Sequence, residues 1–225
     1  MKNVHSPFFM FNPKSYFHGK KLYDLAEYAD HLAETYDIDI FVTVPFTEIK
    51  AVADLTQHII VTAQHMDDVK PGKGMGTVLP ESVYQAGARA CVLNHAEHPI
   101  HYSVLEKTIV RAKELGIFTI ACASSYDEAK AIAMLGPETI LCEPTELIGT
   151  GTVSSGKYIK ETIEAIKNIN HDIYVMQGAG ISTHADITRN LQLGSDANGA
   201  TSGITEANEP FEALKKMVDA TAKVY

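Results

Sequence analysis

The chain lacks any apolar run of membrane-spanning length, and it is poor in cysteine and in basic residues. A spanning helix needs about 20 consecutive apolar residues, so we expect no membrane partner. The N-terminal residues do not form a basic and apolar leader, because Pro7 interrupts them. We therefore expect no secretory signal and predict a cytoplasmic protein.

The cysteines are few and scattered. Cys91, Cys122 and Cys142 each lie inside an apolar run. Their odd number and wide spacing form neither a disulfide framework nor a metal-binding motif. The sequence therefore predicts three buried free thiols in a reducing compartment.

Acidic residues outnumber basic ones by 28 to 19, which gives a formal net charge of −9. A protein that binds nucleic acid needs a basic surface, and no basic stripe occurs here, so we expect no nucleic-acid partner. An anionic ligand would have to be held by local groups, since the overall field of the protein repels it.

Eight short apolar runs recur along the whole chain. Most of them are continuous in aliphatic and small residues rather than alternating, which is typical of parallel strands covered on both faces. The predicted strands are Pro7–Phe11, Ile38–Val44, His58–Gln64, Ala90–Asn94, Phe118–Ala123, Thr139–Glu143, Asp172–Gly178 and Ser195–Ser202.

Helical patterns fill the gaps between these runs. The segment Lys20–Tyr36 repeats its apolar residues with helical spacing and is charged on the opposite face. Capping patterns predict further helix starts at Ser103, Ser125 and Thr183, and a first-turn proline predicts one at Pro210.

Eight strand–helix units predict a single α/β domain, a closed (β/α)8 barrel that spans residues 1–225. An open doubly wound sheet is the competing architecture, but it usually carries a glycine-rich turn after its first strand. Here that turn reads Asn-Pro-Lys-Ser at residues 12–15. Residues 195–200 are too polar and small for an ordinary core strand, and we assign them to the eighth strand because the count requires it.

Polar side chains follow several of the predicted strands, at the barrel end where catalytic groups usually lie. Lys14, His95 and Glu143 come after strands one, four and six. The segment 143–151 has an apolar tip and glycines at its far end, so it could close over a ligand and exclude water. Glycines such as Gly178 and Gly180 offer backbone N–H groups to a phosphate.

Taken in order, these motifs resemble the triosephosphate isomerase family, in its short archaeal-type form. The resemblance covers nearly the whole chain, and its most specific part is the loop at 143–151. The matching stretches are Asn12-x-Lys14, Ala63-Gln64-His65, Val78-Leu79-Pro80-Glu81, Leu93-Asn94-His95-x-Glu97, Glu143-Pro144-x-Glu146-Leu147-Ile148-Gly149-Thr150-Gly151 and Gly178-Ala179-Gly180-Ile181-Ser182.

The resemblance implies a TIM barrel that isomerises dihydroxyacetone phosphate and glyceraldehyde 3-phosphate, in glycolysis and gluconeogenesis. Glu143 would be the base, and His95 would polarise the carbonyl as a neutral imidazole near a helix N-terminus. Lys14 would stabilise the enediolate and anchor the phosphate. The family needs no metal or organic cofactor and forms homodimers or homotetramers. The implied substrate-binding residues are Asn12, Glu97, Gly149, Gly180, Thr201 and Ser202.

Three departures from the family pattern leave the substrate open. Met75 stands where a threonine usually reaches the neighbouring subunit, and Ala96 replaces a serine beside the site. Asn198, in the polar eighth strand, could read a substrate hydroxyl or bond to backbone. These changes are compatible with a paralogue for another phosphorylated ketose, for example one of four carbons, or with a phosphate-binding barrel that has lost turnover.

Two other chemistries are weighed against isomerisation. His95, Glu97, His98 and His101 form an H-x-E-H-x-x-H pattern that could suggest zinc, but Pro99 breaks the helix such a site needs. A Schiff-base aldolase usually carries its lysine on a mid-barrel or late strand, whereas Lys14 follows the first.

Overall fold

The structure is a computed structural model that describes residues 4–148 and 150–223. Helices follow the strands around a barrel. The strands are β1 Phe8–Phe11, β2 Ile40–Val44, β3 Ile60–Ala63, β4 Ala90–Leu93, β5 Phe118–Ala123, β6 Thr139–Cys142, β7 Tyr174–Gln177 and β8 Ala197–Ala200. The helices are α1 Gly19–Tyr36, α2 Ile49–Leu55, α3 Pro80–Ala86, α4 Tyr102–Leu115, α5 Tyr126–Ala133, α6 Gly156–Ile169, α7 His184–Gln192, α8 Ser202–Thr205 and α9 Pro210–Ala222.

All eight strands are parallel and pair in chain order, and β1 closes the barrel by pairing with β8 from Phe8 opposite Ala197 to Phe11 opposite Ala200. The predicted (β/α)8 barrel is therefore confirmed. The three cysteines are buried and unpaired, as the sequence predicts. Among the described helices, none is both long and apolar enough to cross a membrane.

The eighth strand owes its unusual composition to what lies on its two faces. Gly199 faces the interior, where a Cβ would lie only 2.9 Å from Cε of Met10. Asn198 points the other way and is fully buried against α7. There its Oδ1 accepts a hydrogen bond from Nδ2 of Asn190 at 3.0 Å. Nδ2 of Asn198 donates to the Ile187 carbonyl at 3.5 Å, so of the two expected roles Asn198 has the bond to backbone and not the contact with a substrate hydroxyl.

Helix starts follow the predicted caps in two of three cases. Ser125 accepts a hydrogen bond from the Glu128 N–H at the start of α5. The Asp186 carboxylate accepts one from the Thr183 N–H at 2.8 Å before α7. The cap predicted at Ser103 is wrong, because α4 already begins at Tyr102 and Ser103 lies inside its first turn.

An aromatic cluster fills the barrel beneath the strand ends that carry the polar residues. The ring centroids of Phe8 and Phe41 are 5.2 Å apart, and those of Phe41 and Phe118 are also 5.2 Å apart. Tyr174 meets Phe8 edge-on at 5.4 Å. Packed aromatic rings stabilise a fold by more than their buried area alone would give. This end of the barrel therefore contributes to the stability of the fold.

Replacing Phe41 with alanine should lower the free energy of unfolding by about 3–5 kcal/mol, because the fully buried ring would leave a cavity between two other rings. Urea unfolding measures the change. The exposed Val110→Ala substitution on α4 serves as the control. A loss below about 1 kcal/mol for the Phe41 variant would contradict this account of the core.

Candidate active site

A cavity of about 260 Å³ opens at the carboxyl ends of the strands. Ligand pockets usually measure about 300–1,000 Å³, so this one suits a small molecule. The predicted site residues that line it are Asn12, Lys14, His95, Glu97, Glu143, Gly180, Thr201 and Ser202. Gly149, also predicted, lies outside the described residues.

The loop after β1 has a strained backbone at Lys14, and side-chain hydrogen bonds hold it in place. Lys14 has a φ of 47°, a left-handed value that is unfavourable for a residue with a side chain. Its N–H donates to Oδ1 of Asn12 at 3.0 Å, and its carbonyl accepts from Nε2 of Gln64 at 2.8 Å. The Thr43 hydroxyl also donates to Oδ1 of Asn12. Asn12 therefore keeps its amide nitrogen for a ligand.

The backbone around His95 selects the tautomer of its ring. The Glu97 N–H donates to Nδ1 of His95 at 3.1 Å, so Nδ1 is the unprotonated nitrogen and Nε2 carries the hydrogen. Burial lowers the pKa of His95, and the charge of Lys14 lowers it further. Among the described helices none begins at His95, since a turn at residues 95–98 supplies the N–H and α4 begins only at Tyr102.

Lys14 in the loop after β1 and Glu97 in the loop after β4 form an ion pair, with 2.6 Å between Nζ of Lys14 and Oε1 of Glu97. Partial burial raises the pKa of Glu97, but the hydrogen bond and the charge of Lys14 outweigh burial and hold this pKa below its usual value. The Glu97 carboxylate is therefore ionised near neutral pH, and it orients the ammonium group of Lys14.

The Glu143 carboxylate faces His95, and 3.8 Å separates its Oε2 from Nε2 of the ring. Burial raises the pKa of Glu143 to about 7, against the opposing charge of Lys14. Its side chain lies over Gly178, where a Cβ would be only 2.4 Å from Oε1. A residue larger than glycine at position 178 would displace the carboxylate.

Gly180 joins the 144–155 segment to the opposite wall of the cavity. Its φ is 67°, and a Cβ there would lie 2.0 Å from the carbonyl oxygen of Thr152. The two backbones therefore touch directly. Thr201 and Ser202 lie at the start of α8 on the same cavity, so backbone N–H groups are available for an anion on this side.

The histidines that follow β4 do not assemble into a metal site. His98 packs its ring on His65, with centroids 4.3 Å apart, and His101 precedes the first turn of α4. Within residues 4–148 and 150–223, no group of three or more metal-binding side chains comes together.

Sequence reasoning missed what several residues do at this site. Thr43 and Gln64 hold the Asn12–Lys14 segment, and Gly178, expected to offer its N–H to a phosphate, makes room for Glu143. The one available signal was a hydroxyl residue, Thr43, inside the otherwise apolar strand β2. Nothing in the local sequence shows that Gln64 bonds to a carbonyl 50 residues away.

The fold and the site define a (β/α)8-barrel enzyme with a carboxylate and a neutral imidazole facing one small cavity. Residues 7–218 match the family model described as triosephosphate isomerase. The triosephosphate isomerase of Sulfolobus acidocaldarius is 34% identical over 222 residues, which cover 96% of each chain.

Two further archaeal relatives carry the same name. That of Methanobacterium bryantii is 34% identical over 95% of this chain and 96% of its own. That of Methanocaldococcus jannaschii is 32% identical over 89% and 92%. The chain belongs to the triosephosphate isomerase family, and it is an isomerase whose substrate is a phosphorylated sugar.

The raised pKa of Glu143 predicts a pH-dependent cost to stability. The folded protein binds the proton of this carboxyl more tightly than the unfolded chain, whose ordinary pKa is 4.5. Ionisation of Glu143 therefore destabilises the fold increasingly from pH 4.5 to about 7, and fully above that range.

Replacing Glu143 with glutamine should stabilise the protein by up to about 3 kcal/mol at pH 8 and by much less at pH 4.5. Chemical unfolding at both pH values measures the difference. The exposed Glu161→Gln change on α6 is the matched control and should leave the free energy of unfolding nearly unchanged at both pH values. Equal stabilities of the Glu143 variant and its parent at pH 8 would contradict the prediction.

Proposed function

We propose that this chain interconverts dihydroxyacetone phosphate and glyceraldehyde 3-phosphate, with Glu143 as the base. The observation that carries the assignment of roles is the shared cavity, in which the Glu143 carboxylate lies 3.8 Å from the hydrogen-bearing nitrogen of His95. An acid–base pair at this distance can flank two adjacent carbons of a bound sugar.

The Glu143 carboxylate removes a proton from C1 of dihydroxyacetone phosphate, and the electron pair moves to the carbonyl oxygen on C2. The resulting enediolate regains the proton from Glu143 at C2, which produces the aldehyde at C1. A base suited to this task has a pKa near the working pH. The burial that raises the pKa of Glu143 to about 7 supports this role.

His95 supplies the hydrogen bond to the oxygen atoms on C1 and C2. Its Nε2–H is a donor, because the Glu97 N–H occupies Nδ1. Its lowered pKa keeps the ring neutral, so it can donate to the developing oxyanion and exchange a proton between the two oxygens. The amide nitrogen of Asn12 adds a second donor.

Lys14 neutralises the enediolate and attracts the phosphate. Its ammonium group is held by Glu97 and lies in the same cavity, where its charge acts on both the substrate and the base. The backbone N–H groups of Gly180, Thr201 and Ser202 donate hydrogen bonds to the phosphate oxygens. This division places the reacting carbons near Glu143 and the phosphate at the α8 side.

The 144–155 segment serves as a lid over the bound substrate. Ile148 lines the cavity, and the far end of the segment rests on Gly180. Excluding water strengthens the electrostatic contacts and protects an enediolate that would otherwise lose its phosphate. The chemistry of these residues requires no metal and no organic cofactor.

The alternatives for substrate and activity are not favoured. Relatives that carry the name triosephosphate isomerase match this chain over nearly its full length. Asn198, which motivated a different phosphorylated ketose, is engaged by α7 away from the cavity. A barrel without turnover would have no need for a strained Lys14 backbone and a buried carboxylate, both of which cost stability.

We also propose that the protein acts as a homodimer or homotetramer in the cytoplasm. The segment 71–77 between β3 and α3 is exposed along its whole length, and Met75 at its tip is fully exposed. An exposed methionine favours contact with another surface. Light scattering after gel filtration tests the state, and a monomer at micromolar concentration would contradict it.

Glu143→Asp should lower kcat at least about 100-fold with little change in KM, because the shorter side chain withdraws the base from the reacting carbon while leaving binding intact. Coupled steady-state assays in both directions measure this. The surface variant Glu161→Asp should match the parent enzyme. Unchanged turnover of the Glu143 variant would remove this residue from the mechanism.

A panel of phosphorylated aldoses and ketoses tests the substrate. With a single enzyme preparation, kcat/KM for triose phosphates should exceed that for four-carbon phosphorylated ketoses by at least about 100-fold, since the cavity is small. Comparable values for the four-carbon sugars would overturn the assignment. Absence of all turnover would favour a binding role instead.

A further inference from the structure

The direction of His95 departs from the alternation of its own strand. In β4, Ala90 and Val92 pack into the barrel interior, whereas Cys91 and Leu93 pack against the helices. Continued alternation would turn the next side chain inward and His95 outward, since successive residues of a strand face opposite sides. Instead, His95 lines the cavity. The residue between Leu93 and His95 must therefore redirect the chain.

Asn94 is that residue, and its φ of 57° lies in the left-handed region. Asparagine tolerates this region better than most residues, but the conformation still needs support. Three hydrogen bonds supply it. The Asn94 amide nitrogen donates to the Cys122 carbonyl at 3.1 Å and to Oε1 of Glu128 at 2.9 Å, and Oδ1 accepts from the Ile100 N–H at 3.1 Å.

Glu128, the partner of Asn94 on α5, accepts hydrogen bonds at both of its carboxylate oxygens. Oε2 of Glu128 accepts hydrogen bonds from the N–H of Ser124, at 2.8 Å, and from its hydroxyl. Its backbone N–H donates to the Ser125 hydroxyl that caps the helix. The Glu128 carboxylate thus joins the start of α5 to the loop after β4. Because this acceptor is charged, its hydrogen bond to Asn94 is stronger than one to a neutral acceptor.

We propose that Glu128 is a positioning residue for catalysis, which holds Asn94 in its left-handed conformation and thereby aims His95 into the cavity. Glu128 touches no substrate and acts only through Asn94. The inference rests on the proposed role of His95 in polarising the substrate carbonyl.

A helix cap alone would account for the bonds to Ser124, so the test must separate capping from positioning. Glutamine at position 128 keeps a carbonyl oxygen for the Ser124 N–H. Its NH2 group, however, then faces the NH2 group of Asn94, and two donors cannot bond to each other. Glu128→Gln therefore preserves most of the cap and removes the link to Asn94.

Glu128→Gln should lower kcat about tenfold, with KM within about twofold of the parent, because a misdirected His95 weakens transition-state contacts more than binding. The ring nitrogen resonances of His95 should shift in NMR spectra. Asp127→Asn is the matched control, since it removes an exposed first-turn carboxylate from the same helix. A kcat for Glu128→Gln within twofold of this control would overturn the proposal.

A double-mutant cycle tests whether Glu128 acts through Asn94. Glycine adopts positive φ without a side chain to be held, so Glu128→Gln should not lower kcat further in an Asn94→Gly background. An equal loss in both backgrounds would show a different route and overturn the proposal. Should Glu128→Gln fail to fold, Asn94→Ala tests the same link with the cap intact, and it should lose more kcat than Asn94→Gly.

The His95→Gln variant separates this inference from the proposed function. If His95→Gln loses turnover while Glu128→Gln keeps it, the positioning role fails and the isomerase mechanism stands. If His95→Gln retains full turnover, the proposed role of His95 fails, and the positioning role fails with it. The expected result is loss of turnover in His95→Gln and the smaller, KM-sparing loss in Glu128→Gln.

Discussion

Burial and one ammonium group together determine the pKa values of the titratable side chains at the barrel mouth. Among the described residues that line the cavity, Lys14 is the one cation, and it shares the space with the carboxylates of Glu97, Glu143 and Glu206. Its charge lowers the pKa values of His95 and Glu97, and it opposes the effect of burial on Glu143. In a protein with a net charge of −9, this local cation also favours the binding of an anionic sugar in the cavity.

The barrel separates stability from chemistry along its axis. The end opposite the cavity is closed by interlocking aromatic rings, among them Phe8, Phe41 and Phe118. The other end holds a strained lysine backbone and a buried carboxylate, both unfavourable for folding. The first end contributes the burial that offsets the second, so the site can keep groups that a stability optimum would exclude.

Much of the fold and of the site could be predicted from the sequence because strand ends in a parallel barrel converge. Lys14, His95 and Glu143 follow their strands directly, so the barrel rule places them at one mouth. The eighth strand could be assigned only by counting. Gly199 and Asn198 are suited to their contacts with Met10 and Asn190, and the local sequence does not reveal these contacts.

The supporting hydrogen bonds could not be predicted, because they join segments far apart in the chain. Thr43 reaches Asn12 across 31 residues, Gln64 reaches Lys14 across 50, and Glu128 meets Asn94 across 34. Apart from the hydroxyl residue within β2, none of these pairs leaves a local pattern in the sequence. The neutral state of His95 was expected from a helix end, whereas the structure achieves it by burial, by Lys14 and by the N–H of a tight turn.

The contact between Gly180 and Thr152 has a mechanical consequence. The carbonyl oxygen of Thr152 fills the space where a Cβ of residue 180 would lie. The two backbones are therefore in direct contact, with no side chain between them. Any side chain at position 180 would push the two backbones apart, and it would separate the 144–155 segment from the wall of the cavity.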